Sequence, residues 1–183
     1  MKALVLVAHP DDCVIFASAY MDAHPEYEWH IVYLTHWRFH KRGREMSKYW
    51  KKRGVKTRYL GFKDHGRDLG LKGLHTWTET EAIRVIRRNA IGYDFILTHN
   101  AEGEYGHPHH QVIHKAVKDF NVSKVYFSLG PEYLAEGFNW LKESYRLNRT
   151  NPEVLEEIGA FFERKNKSGA LHSREPFAAH GCA

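Results

Sequence analysis

Five short apolar runs recur along the 183-residue chain, at Ala3 to Val7, His30 to Leu34, Thr57 to Leu60, Phe95 to Thr98 and Lys124 to Phe127. Helix-length segments separate them, and such alternation predicts βαβ units joined in one sheet. The fold class read from the sequence is therefore α/β, a Rossmann-like, mostly parallel sheet flanked by helices. The helices are predicted at about residues 12–23, 41–53, 78–89, 108–119 and 152–165, with Thr78 through Glu81 as a cap for the third and Pro152 in the first turn of the last. A chain of this length with 43% hydrophobic and 14% aromatic residues can bury one substantial core. A single domain over 1–167 is expected, followed by an irregular tail at 168–183 containing Gly169, Pro176 and Gly181.

The first apolar run leads directly into Ala8-His9-Pro10-Asp11-Asp12, and a second polar cluster, Gly106-His107-Pro108-His109-His110, lies shortly after the fourth run. In an open α/β sheet the carboxyl ends of the strands face the ligand crevice, so both clusters are expected there. Pro10 stiffens the turn that carries the first. Imidazoles and carboxylates so arranged point to a divided metal site. A catalytic zinc commonly takes three protein ligands and keeps one position for water, whose pKa falls to about 7, while a free carboxylate beside it serves as base.

These residues resemble the LmbE-like/PIG-L superfamily of zinc-dependent N-deacetylases, whose signatures AHPDDE and HPDH read here as AHPDDC and GHPHH. Leu34-Thr35, Arg42 with Glu45, Gly54-Val55, Leu60-Gly61-Phe62 and Asp64 follow the same progression. The resemblance implies that His9, Asp12 and His110 are the metal ligands and Asp11 the general base. It also implies that protonated His107 stabilises the tetrahedral intermediate. Zinc is the implied metal, although two imidazoles and a carboxylate also suit iron, cobalt or manganese. The implied reaction is hydrolysis of the acetamide of an N-acetylated amino sugar or sugar conjugate, with Arg42 and Asp64 as substrate-binding residues. Another amide, a phosphoester, or a weakly active, repurposed member of the family are the alternative readings.

Two positions depart from the pattern. Cys13 stands where the family usually has Glu, and His109 where it has Asp. Loss of a polar partner behind a metal ligand costs about 10- to 100-fold in affinity or activity. Cys13 reads either as a small buried side chain or as a thiol able to bind metal. His109 reads as a substrate contact or as an exposed ring. His110 and His114, four apart on a helix, form a competing ligand pair, but the residues between them supply no Glu base, and His114 is expected on the helix face. Isolated histidines such as His24, His40, His75 and His172 are expected to be structural.

The formal charge of +5 concentrates between Lys41 and Arg58, where Glu45 is the only acid. Lys41, Arg44, Lys48, Lys51 and Lys52 follow helical spacing, which reads as a solvated face. The functional reading is an anionic substrate group near Arg42 or Arg44, with Trp37 and Trp50 as stacking surfaces or core. His65 and Arg67 stand beside Asp64 as weaker substrate candidates. Nucleic-acid binding through the basic face leaves the paired motifs unexplained, and nucleic acid is not expected as a partner. No apolar run is long enough for a membrane span or a signal peptide. Two cysteines, Cys13 and Cys182, give no disulfide framework, so a reducing cytoplasm is the expected compartment.

Overall fold

The first strand has no exposed face. From Ala3 to Ala8 every residue is fully buried, with Ala3, Val5 and Val7 in one core and Leu4, Leu6 and Ala8 in the other. Side chains alternate across a strand, so an uninterrupted apolar run is what a central strand covered on both faces requires. The computed structural model describes residues 1–64 and 77–127 in full and 172–174 as backbone. The expected helix at 152–165 lies outside them, as do His65, Arg67, His75 and Cys182.

Six strands form one sheet: β1 (Lys2–Val7), β2 (Glu28–Thr35), β3 (Lys56–Phe62), β4 (Phe95–Thr98), β5 (Ser123–Phe127) and β6 (His172–Arg174). Their order is β3-β2-β1-β4-β5-β6, with the first five parallel and β6 antiparallel to β5. Part of the tail expected to be irregular thus pairs Arg174 with Val125 and His172 with Phe127, which covers what would be an open sheet edge.

The helices divide between the faces. α1 (Ser18–Ala23) and α2 (Lys41–Lys52) cover one through Met21, Met46 and Trp50, while α3 (Glu79–Ala90) and α5 (Pro108–Val117) cover the other through Ile86, Ile113 and Val117. The four-residue turn α4 (Gly103–Gly106) precedes α5. Thr78 caps α3, its hydroxyl accepting Glu81 N–H at 3.2 Å. The segment expected as one helix from residue 12 instead opens with a π-helical turn, Cys13–Ala17. There Ser18 Oγ donates to Val14 O at 2.6 Å, and such widened turns concentrate at functional sites.

After β3 the chain crosses to the far side of β1 to form β4, so the strand order reverses between β1 and β4. In a doubly wound sheet that reversal opens the ligand crevice. Two hydroxyls fix the end of β1 at this point: Thr35 Oγ1 donates to Ala8 O and Thr98 Oγ1 to Leu6 O, each at 2.8 Å.

Candidate metal centre

The turn after β1 gathers donors around one oxygen. Asp12 Oδ2 accepts His9 N–H at 2.7 Å, and His9 Nδ1 lies 3.1 Å from it. His110 Nε2, from the first turn of α5, lies 3.4 Å away. The donor atoms of His9, Asp12 and His110 all fall within 4.8 Å of one another, and all three residues are buried. His110 Nε2 makes no hydrogen bond to a described residue, although polar atoms buried this deeply are normally paired. Two imidazole nitrogens and a carboxylate oxygen, drawn together with one nitrogen lone pair unengaged, are a fitting donor set for a divalent ion.

The same charges act on the protons. Burial opposes ionisation of Asp12, but His110 and His9 outweigh it and hold the carboxyl well below its ordinary range. Burial and His99 lower the proton affinity of His110, whereas Asp12 and Glu104 raise it further, so a metal ion would compete with a proton for this ring.

Asp11 sits beside this set, and Arg42 in the first turn of α2 donates from Nη2 to its Oδ1. Asp11 Oδ2 is buried and has no hydrogen-bond partner among the described residues. Arg42 Nη1 also lies 3.6 Å from Asp64 Oδ2, and Asp64 Oδ1 lies 3.6 Å from His9 Nε2. Arg42 and Asp64, expected as substrate-binding residues, are thus placed against Asp11 and His9.

His107 caps α5, its Nδ1 accepting His109 N–H at 3.2 Å. That bond needs the Nδ1 lone pair, so the ring proton sits on Nε2. Burial, with His110 and His9 nearby, pushes the His107 pKa down to about 3.

His109 is neither exposed nor free: its Nδ1 lies 3.2 Å from His9 Nε2 and its ring packs 5.1 Å from Trp77. His114 turns away, with Nδ1 3.3 Å from His99 O and its ring against Tyr126. Among the described residues it belongs to no candidate metal group. Cys13 is an embedded thiol and, among the described residues, belongs to no candidate metal group. Its Sγ donates to Pro10 O at 3.2 Å, lies 2.9 Å from Tyr33 OH and accepts Trp50 Nε1–H at 3.0 Å, and burial pushes its pKa up. Trp50 belongs to the core, whereas Trp37 is 63% exposed, its ring over Gly61. Lys41, Arg44, Lys48, Lys51 and Lys52 are exposed, which makes them a solvated face of α2.

Sequence reasoning missed two residues behind the centre. Glu104 is buried, and its Oε2 accepts from His99 Nδ1 at 2.8 Å and His110 Nδ1 at 2.5 Å. Burial opposes its charge, but the two imidazoles hold the carboxyl down at about 2. Burial lowers and Glu104 and Asp12 raise the proton affinity of His99, to about 9 overall. Yet Ala8 N–H points at its Nε2 from 3.1 Å, which requires a lone pair there and favours the neutral ring. His99 had a signal, since it directly follows β4 as His9 follows the first apolar run; Glu104 had none.

Residues 4–121 match the family described as PIG-L: GlcNAc-PI de-N-acetylase. The chain belongs to that family. As a PIG-L chain it shares its fold with several solved structures. A deacetylase of teicoplanin biosynthesis, in complex with bog, aligns at 14% identity and TM-score 0.60 over 96% of this chain and 99% of that one. A triple-mutant deacetylase of the same pathway aligns at 16% and 0.52, with 70% of this chain and only 64% of that one covered. GalB, the 4-carboxy-2-hydroxymuconate hydratase of Pseudomonas putida KT2440, aligns at 14% and 0.58 over 100% and 99%. The N,N'-diacetylchitobiose deacetylase of Pyrococcus horikoshii aligns at 15% and 0.52 over 91% and 79%. Hydrolytic and hydrating enzymes both appear among these neighbours, so the fold alone does not select the reaction. A comparison with curated protein sequences finds no match.

Proposed function

We propose that the protein is a metal-dependent N-deacetylase that hydrolyses the acetamide of an N-acetylated amino sugar or sugar conjugate, giving acetate and a free amine. One observation carries the reading: Asp11 Oδ2, buried and without a partner among the described residues, stands beside three converging metal donors. Family membership supports the same chemistry. His9, Asp12 and His110 would hold the ion, zinc being the first candidate. When bound, such an ion supplies Lewis acidity toward a carbonyl oxygen and lowers the pKa of water to about 7.

The protein's own groups do the rest. Arg42 occupies Asp11 Oδ1, so Oδ2 is the atom that takes a proton from water as its oxygen attacks the acetamide carbon. His107 presents a neutral Nε2–H to the developing oxyanion, an electrostatic role that needs no imidazolium. As the carbon–nitrogen bond breaks, Asp11 returns its proton to the departing amine. Arg42 and Asp64, 3.6 Å apart beside Asp11 and His9, are the residues assigned to the rest of the substrate.

The test is acetate release from a panel of N-acetylglucosamine conjugates by metal-loaded protein beside Asp11→Asn. Release by the wild type alone supports the reading. A metal-loaded wild type that releases none from any member sinks it and directs the search to another amide or a phosphoester.

A further inference from the structure

We infer that Glu104 is the positioning residue of the metal centre: it accepts a hydrogen bond from His110 Nδ1–H and thereby turns Nε2 alone toward His9 and Asp12. The inference rests on the reading of His9, Asp12 and His110 as metal ligands. Three donors converge on this one carboxylate. Oε2 accepts from His110 Nδ1 and His99 Nδ1, and Oε1 accepts Asn100 N–H at 3.0 Å. Acceptor capacity on both oxygens at once belongs to an ionised carboxylate and not to an amide.

The surrounding backbone is built to deliver that carboxylate. Glu104 has φ 56° and ψ −59°, a strained conformation for a non-glycine residue. Asn100 holds it there: Asn100 Oδ1 accepts Glu104 N–H at 3.0 Å, and Asn100 Nδ2 donates to Phe127 O at 2.8 Å. Gly103 admits the close approach of α5, since a Cβ there would lie 3.0 Å from Gln111 Cγ. His99, gripped by the same oxygen, accepts Ala8 N–H on its far nitrogen and so ties Glu104 to the end of β1. Both halves of the site, after β1 and after β4, are therefore registered on one carboxylate. A metal-binding histidine is commonly held in this way by an acceptor on its other nitrogen, which fixes ring and tautomer.

Glu104→Gln keeps the shape but offers one acceptor oxygen, so either Asn100 N–H or the two imidazole N–H groups must face an amide NH2. The expected result is zinc affinity reduced by about 10- to 100-fold in a chelator competition, with circular dichroism unchanged. Unchanged affinity in a folded Glu104→Gln would overturn the assignment. Should that variant fail to fold, nitrogen-15 imidazole spectra of the wild type decide the matter without a substitution. His110 is expected to show a protonated, hydrogen-bonded Nδ1 with or without metal; a ring protonated at Nε2 alone overturns the inference. A wild type that binds no zinc yet shows the Nδ1 proton would instead refute the metal reading and leave the Glu104 contact standing.

Discussion

Arg42 holds Asp11 by Oδ1 alone, and the other oxygen of that carboxylate is buried without a hydrogen-bond partner among the described residues. A base must be held still and yet keep one oxygen for the proton it takes, and this division of labour does both. Asp11→Asn is therefore expected to retain one equivalent of zinc while acetate turnover falls by about 100- to 10,000-fold, read by metal analysis and a kinetic assay on one preparation.

Arg42 is expected to matter in two ways. Arg42→Ala leaves the Asp11 carboxylate buried without its cation, and breaking such a pair costs about 3 kcal/mol or more. Denaturant unfolding should show that loss, and turnover should fall with it. A variant of wild-type stability and activity would mean that the guanidinium does not position the base.

At His107 a neutral donor and a general acid give different outcomes. Because its Nδ1 is engaged by His109 N–H and burial pushes its pKa down to about 3, His107 is proposed to offer a neutral Nε2–H to substrate. His107→Gln, which keeps an N–H donor, is expected to retain roughly tenfold or more of the turnover left by His107→Ala, since one donor to an oxyanion is worth about 100-fold or more. Equal loss in both variants would favour proton transfer by the ring.

How far the sequence discloses this site depends on where the donors lie. His9, Asp11 and Asp12 are consecutive to a strand legible as an unbroken apolar run, and His107 and His110 share one helical turn, so their convergence follows once both segments reach the same sheet edge. Glu104 is different. Its orientation depends on a backbone conformation that glutamate rarely adopts and on a clasp from Asn100, neither of which leaves a local signature. β6 was also invisible, because His172-Ser173-Arg174 carries no alternation and is a strand only by pairing with the edge of β5. The π-helical turn over Cys13–Ala17 follows directly on Asp11, whose carbonyl accepts both Val14 N–H and Ile15 N–H at 3.0 Å, and nothing in the helix propensity of these residues announces it.

Acid should undo the centre in a defined window. The Glu104 carboxyl is held at about 2 against an ordinary 4.5, so its contribution to stability is full above pH 4.5 and is lost as pH falls toward 2. Urea unfolding of the metal-free protein between pH 5 and 2 should show this decline, and Glu104→Gln should flatten it. A variant with the same slope as the wild type would show that the carboxylate is not stabilised by its imidazoles.

Cys13 is expected to be inert. Its thiol is buried and pushed up in pKa, so native protein should resist iodoacetamide at this residue, and Cys13→Ala should keep its zinc. Mass spectrometry and metal analysis read the two outcomes, and rapid native alkylation or lost zinc would restore the thiol as a ligand.

The most direct test of the account is zinc stoichiometry in the wild type and in His9→Ala, Asp12→Ala and His110→Ala, each confirmed to be folded. One equivalent in the wild type and marked loss in all three variants is the expected result. Stoichiometric zinc retained in all three would mean that the residues brought together between β1 and β4 do not form the metal centre.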